Sequence, residues 1–141
     1  MKYVFDSSVA LKTVLTEIDS DKAVRLVDEF RAHLHELIAP EVFHIEVAHS
    51  LTRAERQQKI TPPQGWVGWK SIMADCPLLV RSLPLMPRAF EISSAMRIGV
   101  YDCLYVALAE LEQCEFVTAD EKLIKNLQAT FPFIVALGTL P

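Results

Sequence analysis

The chain has 141 residues, 51% of them hydrophobic and 23% charged, with a formal net charge of −4. This size and composition suit one domain (residues 1–141) with a packed core, and exclude a disordered chain. They also exclude a protein that holds nucleic acid mainly by bulk positive charge. No uncharged apolar run approaches the roughly 18 residues a bilayer needs, and Asp6 and Lys12 interrupt any secretory signal at the N-terminus. Three cysteines (Cys76, Cys103, Cys114) form no CxxC pair, which points to a reducing cytoplasm.

In chain order, Lys2-Tyr3-Val4-Phe5 is a short apolar run that ends at Asp6-Ser7-Ser8. It predicts a buried strand followed by a helix near Val9, with Asp or Ser as its cap. A second helix is expected over Ser20 to Leu34, where Ala23, Val27, Phe30 and Leu34 share one face. Leu37-Ile38-Ala39 predicts a strand, and Pro40 the first residue of a helix running to about Gln58. Thr61-Pro62-Pro63-Gln64-Gly65 reads as a turn between helices, after which Trp66, Trp69 and Met73 fall at helical spacing. Then follow a strand over Leu79 to Leu83, a helix over Ala89 to Arg97 closed by Gly99, and an apolar helix over Tyr101 to Gln113. Glu115 to Thr118 predicts a strand, Glu121 to Leu127 a short helix, and Phe133 to Leu137 a last strand. Alternating strands and helices imply an α/β fold: a mainly parallel sheet of four to five strands with helices on both faces. Ligands of such sheets bind at the carboxyl ends of the strands.

Two strands run into an aspartate there, Phe5 into Asp6 and Thr118 through Ala119 into Asp120. Asp102 begins a helix. All three could be helix N-caps, worth about 1 kcal/mol each. Glu46 lies inside a helix with Val42 and Phe43 one turn before it, so it either pairs with a base such as Arg53 or meets another partner that offsets its desolvation. Were the four acids to converge, their repulsion would need a cation. An all-oxygen set without thiolates suits Mg²⁺ or Mn²⁺, and metal-assisted hydrolysis of a phosphodiester is the chemistry such a site serves.

Competing motifs fail on spacing. His44 and His49 stand five apart, about 140° round a helix, whereas a zinc-protease helix needs four. No P-C-x-x-C accompanies His44-Ile45-Glu46, and none of the four glycines (Gly65, Gly68, Gly99, Gly138) follows the first strand, which argues against deaminase, dinucleotide and P-loop sites. His49 reads as a helix-surface histidine, and Trp66 and Trp69 as packing residues. Lys12, Arg53, Arg97, Lys122 and Lys125 are either a solvated face or cations that hold phosphates flanking the acids.

Four segments together resemble the motifs of PIN domains, in the family's order and across almost the whole chain. They are Val4-Phe5-Asp6-Ser7-Ser8, the stretch from Ala39 to Val47 around Glu46, Tyr101-Asp102-Cys103-Leu104-Tyr105-Val106-Ala107-Leu108-Ala109, and Val117-Thr118-Ala119-Asp120. In size the chain looks most like the toxin half of bacterial toxin–antitoxin pairs (VapC-like proteins). The resemblance implies a Mg²⁺- or Mn²⁺-dependent endoribonuclease, with Asp6, Glu46, Asp102 and Asp120 as metal-binding acids. It implies that Ser8 and Thr118 orient a carboxylate or water. RNA is then the substrate, a small antitoxin and a second copy of the chain are the partners, and water is the nucleophile. A non-catalytic PIN-like module that binds RNA or protein, and a non-toxic RNA-processing nuclease, are the alternative readings.

Overall fold

The computed structural model describes residues 1–141. Five strands, β1 (Lys2–Phe5), β2 (Glu36–Pro40), β3 (Leu78–Val80), β4 (Glu115–Thr118) and β5 (Ile134–Ala136), form one sheet in the order β3-β2-β1-β4-β5. Every pairing is parallel. Seven α-helices flank the sheet: α1 (Ser7–Leu11), α2 (Ser20–Arg31), α3 (Phe43–Arg56), α4 (Pro62–Ala74), α5 (Met86–Met96), α6 (Val100–Glu112) and α7 (Glu121–Leu127). Winding proceeds from β1 through β2 to β3, then restarts on the other side of β1 with β4. Right-handed crossovers from that point carry the connections to opposite faces. The reversal lies between β1 and β4, where ligands of open parallel sheets bind.

The central strands are buried on both faces, which is why they read as continuous apolar runs: Val4, Phe5, Phe116 and Val117 are all buried. Helix α6 is buried from Cys103 through Ala109 and packs on α5 as well as on the sheet. Helix α4 crosses close to α3 on its small residues; a Cβ on Gly68 would touch Val14 and Leu51.

Several boundaries differ from the sequence reading, each for a local reason. Helix α2 stops at Arg31 because His33 turns left-handed (φ 60°) and the Leu34 amide donates back to the Glu29 carbonyl at 2.9 Å. Leu34 therefore lies outside the helix and is exposed, while Leu26 takes the buried place. Pro40 ends β2 opposite Val80 instead of starting α3. The segment read as a turn already contains α4: Thr61 caps it, its hydroxyl accepting from the Gln64 amide while the Gln64 side chain accepts from the Thr61 amide. Leu83 sits in a 3₁₀ turn after β3. Gly99 does not close α5. Arg97 does so in the left-handed region (φ 59°), and Gly99 is the extended residue before α6. No glycine in the chain has a positive φ; His33, Gln58, Arg97 and Gln113 make the left-handed helix ends.

Candidate active site

Asp6 is placed by the sheet itself. Its amide donates to the Val117 carbonyl at 3.2 Å, carrying the β1–β4 ladder one residue beyond Phe5. Although it stands at the start of α1, its side chain caps nothing. Instead Oδ2 accepts from the Ser8 hydroxyl at 2.7 Å and the Thr118 hydroxyl at 2.6 Å. Ser8 Oγ accepts in turn from the Ala119 amide at 3.0 Å, and Thr118 Oγ1 from the Asp120 amide at 3.1 Å. The ends of β1 and β4 are thus stitched together by two hydroxyls and one carboxylate. Both hydroxyl residues expected to orient a carboxylate are in contact with one.

Asp120 does cap its helix: Oδ1 accepts from the amides of Lys122 (3.0 Å) and Leu123 (3.1 Å). Its other oxygen makes no hydrogen bond within the protein. The first helical turn of α6 carries Asp102, which has no hydrogen-bond partner and shares a pocket with Asp120, Arg97, Lys122 and Asn126. Glu46, in the first turn of α3, makes no ion pair with Arg53; its Oε1 accepts from Tyr105 at 2.6 Å. Tyr105 is fully buried on α6 and stacks on Phe116 with centroids 5.4 Å apart.

Like-charge repulsion and burial act on three of the four acids. Burial pushes the Asp6 carboxyl up, against the Thr118 and Ser8 hydrogen bonds and with the Asp120 charge. Burial also lifts Glu46 to about 7; the Tyr105 hydroxyl opposes the rise, and the charges of Asp6 and Asp102 add to it. Asp102 rises to about 6 through burial and the charges of Asp6 and Asp120. Each acid comes from a different element, and no base forms an ion pair with any of them.

The donor set is all oxygen, and the anchored acids Glu46 and Asp120 each keep an oxygen free. Such a site fits a hard divalent cation, because Mg²⁺ binds through one or two carboxylates and retains several waters. Dense convergence is absent: no three His, Cys, Asp or Glu side chains stand close enough together to hold an ion.

Tyr105 was not singled out in the sequence. Its signal was a lone hydroxyl, three residues after Asp102, in a helix otherwise buried and apolar from Cys103 to Ala109. His49 lines a second pocket beside Glu46 together with Ser7, Ser50 and Tyr101. Trp69 packs against the core and donates its indole N–H to the His44 carbonyl, whereas Trp66, expected to pack as well, stacks on Trp69 at 5.6 Å but is 61% exposed. The three cysteines are free thiols, and no helix is long and apolar enough to cross a membrane.

Comparison with known proteins identifies the family. The family model of the PIN domain matches residues 3–127. The VapC ribonuclease Mb0985 of Mycobacterium bovis is 30% identical over 135 residues, covering 94% of this chain and 96% of that protein. Ribonuclease VapC9 of Mycobacterium tuberculosis matches to the same extent. Among solved structures, PAE2754 from Pyrobaculum aerophilum superposes with a TM-score of 0.71 at 17% identity, over 99% of this chain and 94% of that one. VapBC2 from Rickettsia felis, bound to a DNA fragment from their promoter, gives a TM-score of 0.68 at 13% identity, over 96% and 97%. The fold, the four motifs in order and these matches have one reading: the chain belongs to the PIN domain family, among relatives named VapC ribonucleases.

Proposed function

We propose that this protein is a divalent-metal-dependent endoribonuclease and the toxin of a toxin–antitoxin pair. The observation that supports the reading is that four carboxylates carried on four elements, Asp6, Glu46, Asp102 and Asp120, have no base paired to any of them. Burying like charges this way costs stability, and a bound cation offsets the cost while the acids stay ionised. The ribonuclease names of the curated relatives support RNA as the substrate, and the VapBC2 complex supports a small protein partner. A homodimer and a cytoplasmic setting complete the reading; the free thiols agree with the latter.

Asp6, Glu46, Asp102 and Asp120 would hold Mg²⁺ or Mn²⁺. When bound, such an ion supplies an acidified water and offsets charge on the phosphodiester. The chain's own contribution is orientation. Ser8 and Thr118 fix one oxygen of Asp6, Tyr105 fixes one of Glu46, and two α7 amides fix one of Asp120. Arg97 and Lys122 flank Asp102 and Asp120, where they would steady the phosphate. Water as nucleophile leaves 5′-phosphate and 3′-hydroxyl ends.

The spacing of the acids also supports a second reading, a non-catalytic RNA-binding module, since no three of them close on one point. A cleavage assay on total RNA with Mn²⁺, Mg²⁺ or EDTA, and with Asp6→Asn, separates the two. Discrete metal-dependent products lost in the variant establish the nuclease. Absence of cleavage with every metal, by a folded protein that takes up none in titration, establishes the module.

A further inference from the structure

Ala119 and Asp120 are neighbours in the β4–α7 turn, yet they line different pockets. Asp120 faces the one shared with Asp102; Ala119 and Ser8 open on a groove of about 570 Å³. Lys12, Arg53 and Lys59 line this groove, against a single acid, Glu17. None of the three makes an ion pair, whereas Lys2, Arg31 and Arg88 are each held by carboxylates elsewhere.

Local structure fixes where the three cations stand. Lys12 ends α1, and Arg53 lies in the last turn of α3. Beyond that helix, Gln58 turns left-handed (φ 59°), and the Lys59 amide donates back to the Ala54 carbonyl at 2.9 Å, which pins Lys59 beside the groove. The helix dipole favours a cation at each of these ends. It does not account for two helix ends and a loop that open on one groove, with their charges unpaired, in a chain of net charge −4.

We infer that this groove is the track for the phosphates of a single RNA strand as it passes the acids, with Lys12, Arg53 and Lys59 as the phosphate-holding residues. The inference rests on the ribonuclease reading for the identity of the strand. The groove's lining includes Ser8, which hydrogen-bonds Asp6, and Ala119, whose amide donates to Ser8, so the groove adjoins the Asp6 end of the acids and a strand lying in it would lead past them. Neutral Thr16, Ser50 and Gln57 along the walls can take sugar hydroxyls and phosphate oxygens.

The test is binding of a short fluorescein-labelled single-stranded RNA to the intact protein in EDTA, by anisotropy, over a series of KCl concentrations. Each phosphate contact on a single strand contributes about 0.7 to the log–log salt slope, so the triple variant Lys12→Gln, Arg53→Gln, Lys59→Gln should lose affinity and about two units of slope. The charge-keeping variant Lys12→Arg, Lys59→Arg should retain both. A triple variant that melts like the wild type and binds with unchanged affinity and slope overturns the inference. So does an oligoglutamate peptide that binds the wild type more tightly than RNA and loses its affinity in the triple variant; the groove would then hold an acidic protein segment. Cleavage of the same RNA with Mn²⁺ separates the two levels. Salt-dependent binding through the groove without cleavage removes the nuclease and leaves the track. Cleavage with an unchanged KM in the triple variant removes the track and leaves the nuclease.

Discussion

Two groups of carboxylates in this molecule live under opposite rules. On the outer helices, Asp75 and Glu110 are each held by an arginine. Asp75 accepts from Arg31 Nε at 2.9 Å, and Glu110 takes a two-pronged contact from Arg88, at 2.6 Å from Nε and 3.0 Å from Nη2. Those arginines hold both carboxyls below their ordinary values. At the carboxyl ends of β1 and β4 the acids receive hydroxyls, amides and one another, and Asp6, Glu46 and Asp102 all rise. The fold gives Asp75 and Glu110 an arginine but gives Asp6, Glu46, Asp102 and Asp120 no base. Under the proposed function, that contrast separates charges that hold elements together from charges kept for a ligand.

The largest effect should come from Asp6→Asn. The amide keeps an oxygen for the Ser8 and Thr118 hydroxyls but removes the charge. RNA cleavage should fall by at least about a thousandfold, equivalent to the several kcal/mol that a bound metal supplies to a transition state. The metal-free thermal midpoint should hold or rise, since burial and the Asp120 charge both oppose ionised Asp6. A variant that cleaves at the wild-type rate would break the contrast at its centre.

Tyr105→Phe sharpens it. Tyr105 acts only through Glu46, so it is a positioning residue. Loss of its hydroxyl should raise the Glu46 carboxyl further above about 7, because that hydrogen bond opposes the rise. Stability should fall by about 1.5–3 kcal/mol, the usual worth of a hydrogen bond to a charged group. Carboxyl NMR titration of the metal-free protein reads the shift, and the acidic limb of the cleavage profile should move to higher pH with it. An unmoved titration would detach Tyr105 from the site.

A pH scan of metal-free stability reads both groups at once. Glu46 and Asp102 have folded values of about 7 and about 6, above ordinary values of 4.5 and 3.8. The folded state therefore binds more protons in that interval. Stability from these groups is present in full below about pH 4 and is lost as pH rises through about 6 to 7. Asp75 and Glu110 act with the opposite sign, stabilising above their ordinary values and losing this as pH falls. Thermal midpoints should climb as pH drops from about 8 to about 5, and added Mn²⁺ should flatten the climb. A midpoint that falls over the same interval would contradict the site electrostatics.

The smallest effect belongs to the paired group. Arg88→Ala removes the contact with Glu110 on a half-exposed surface, and should cost about 1 kcal/mol. Its cleavage activity should equal that of the wild type. A large loss of activity would mean that α5 and α6 communicate with the acids, and the two groups would no longer be separate.

Much of this was legible in the residues. Short apolar runs ending in Asp6 and Asp120 were strands because four residues without helical periodicity, bounded by capping residues, have few other options. The four motifs named the family, and the expectation of a metal-binding quartet with two hydroxyl neighbours rests on that resemblance. What failed did so at boundaries, where propensity competes with tertiary hydrogen bonds. Pro40 suited a helix start but was taken by the β2–β3 ladder, and Gly99 suited a helix end that Arg97 made instead. Glu46 was weighed against an ion pair with Arg53, two turns on in its own helix; the partner was Tyr105, 59 residues distant.

The sequence alone therefore determined the alternation of strands and helices and the placement of acids at their junctions, because periodicity and capping act within a few residues. Only the tertiary structure decided that Asp6 is no cap. Its partners are Ser8, two residues on, and Thr118, 112 residues away, brought together when β4 pairs with β1. The same folding set Lys59 beside Lys12 and Arg53, and left their charges unpaired. Which charges find partners depends on the order of strands and the ends of helices, and neither is written in any local stretch of chain.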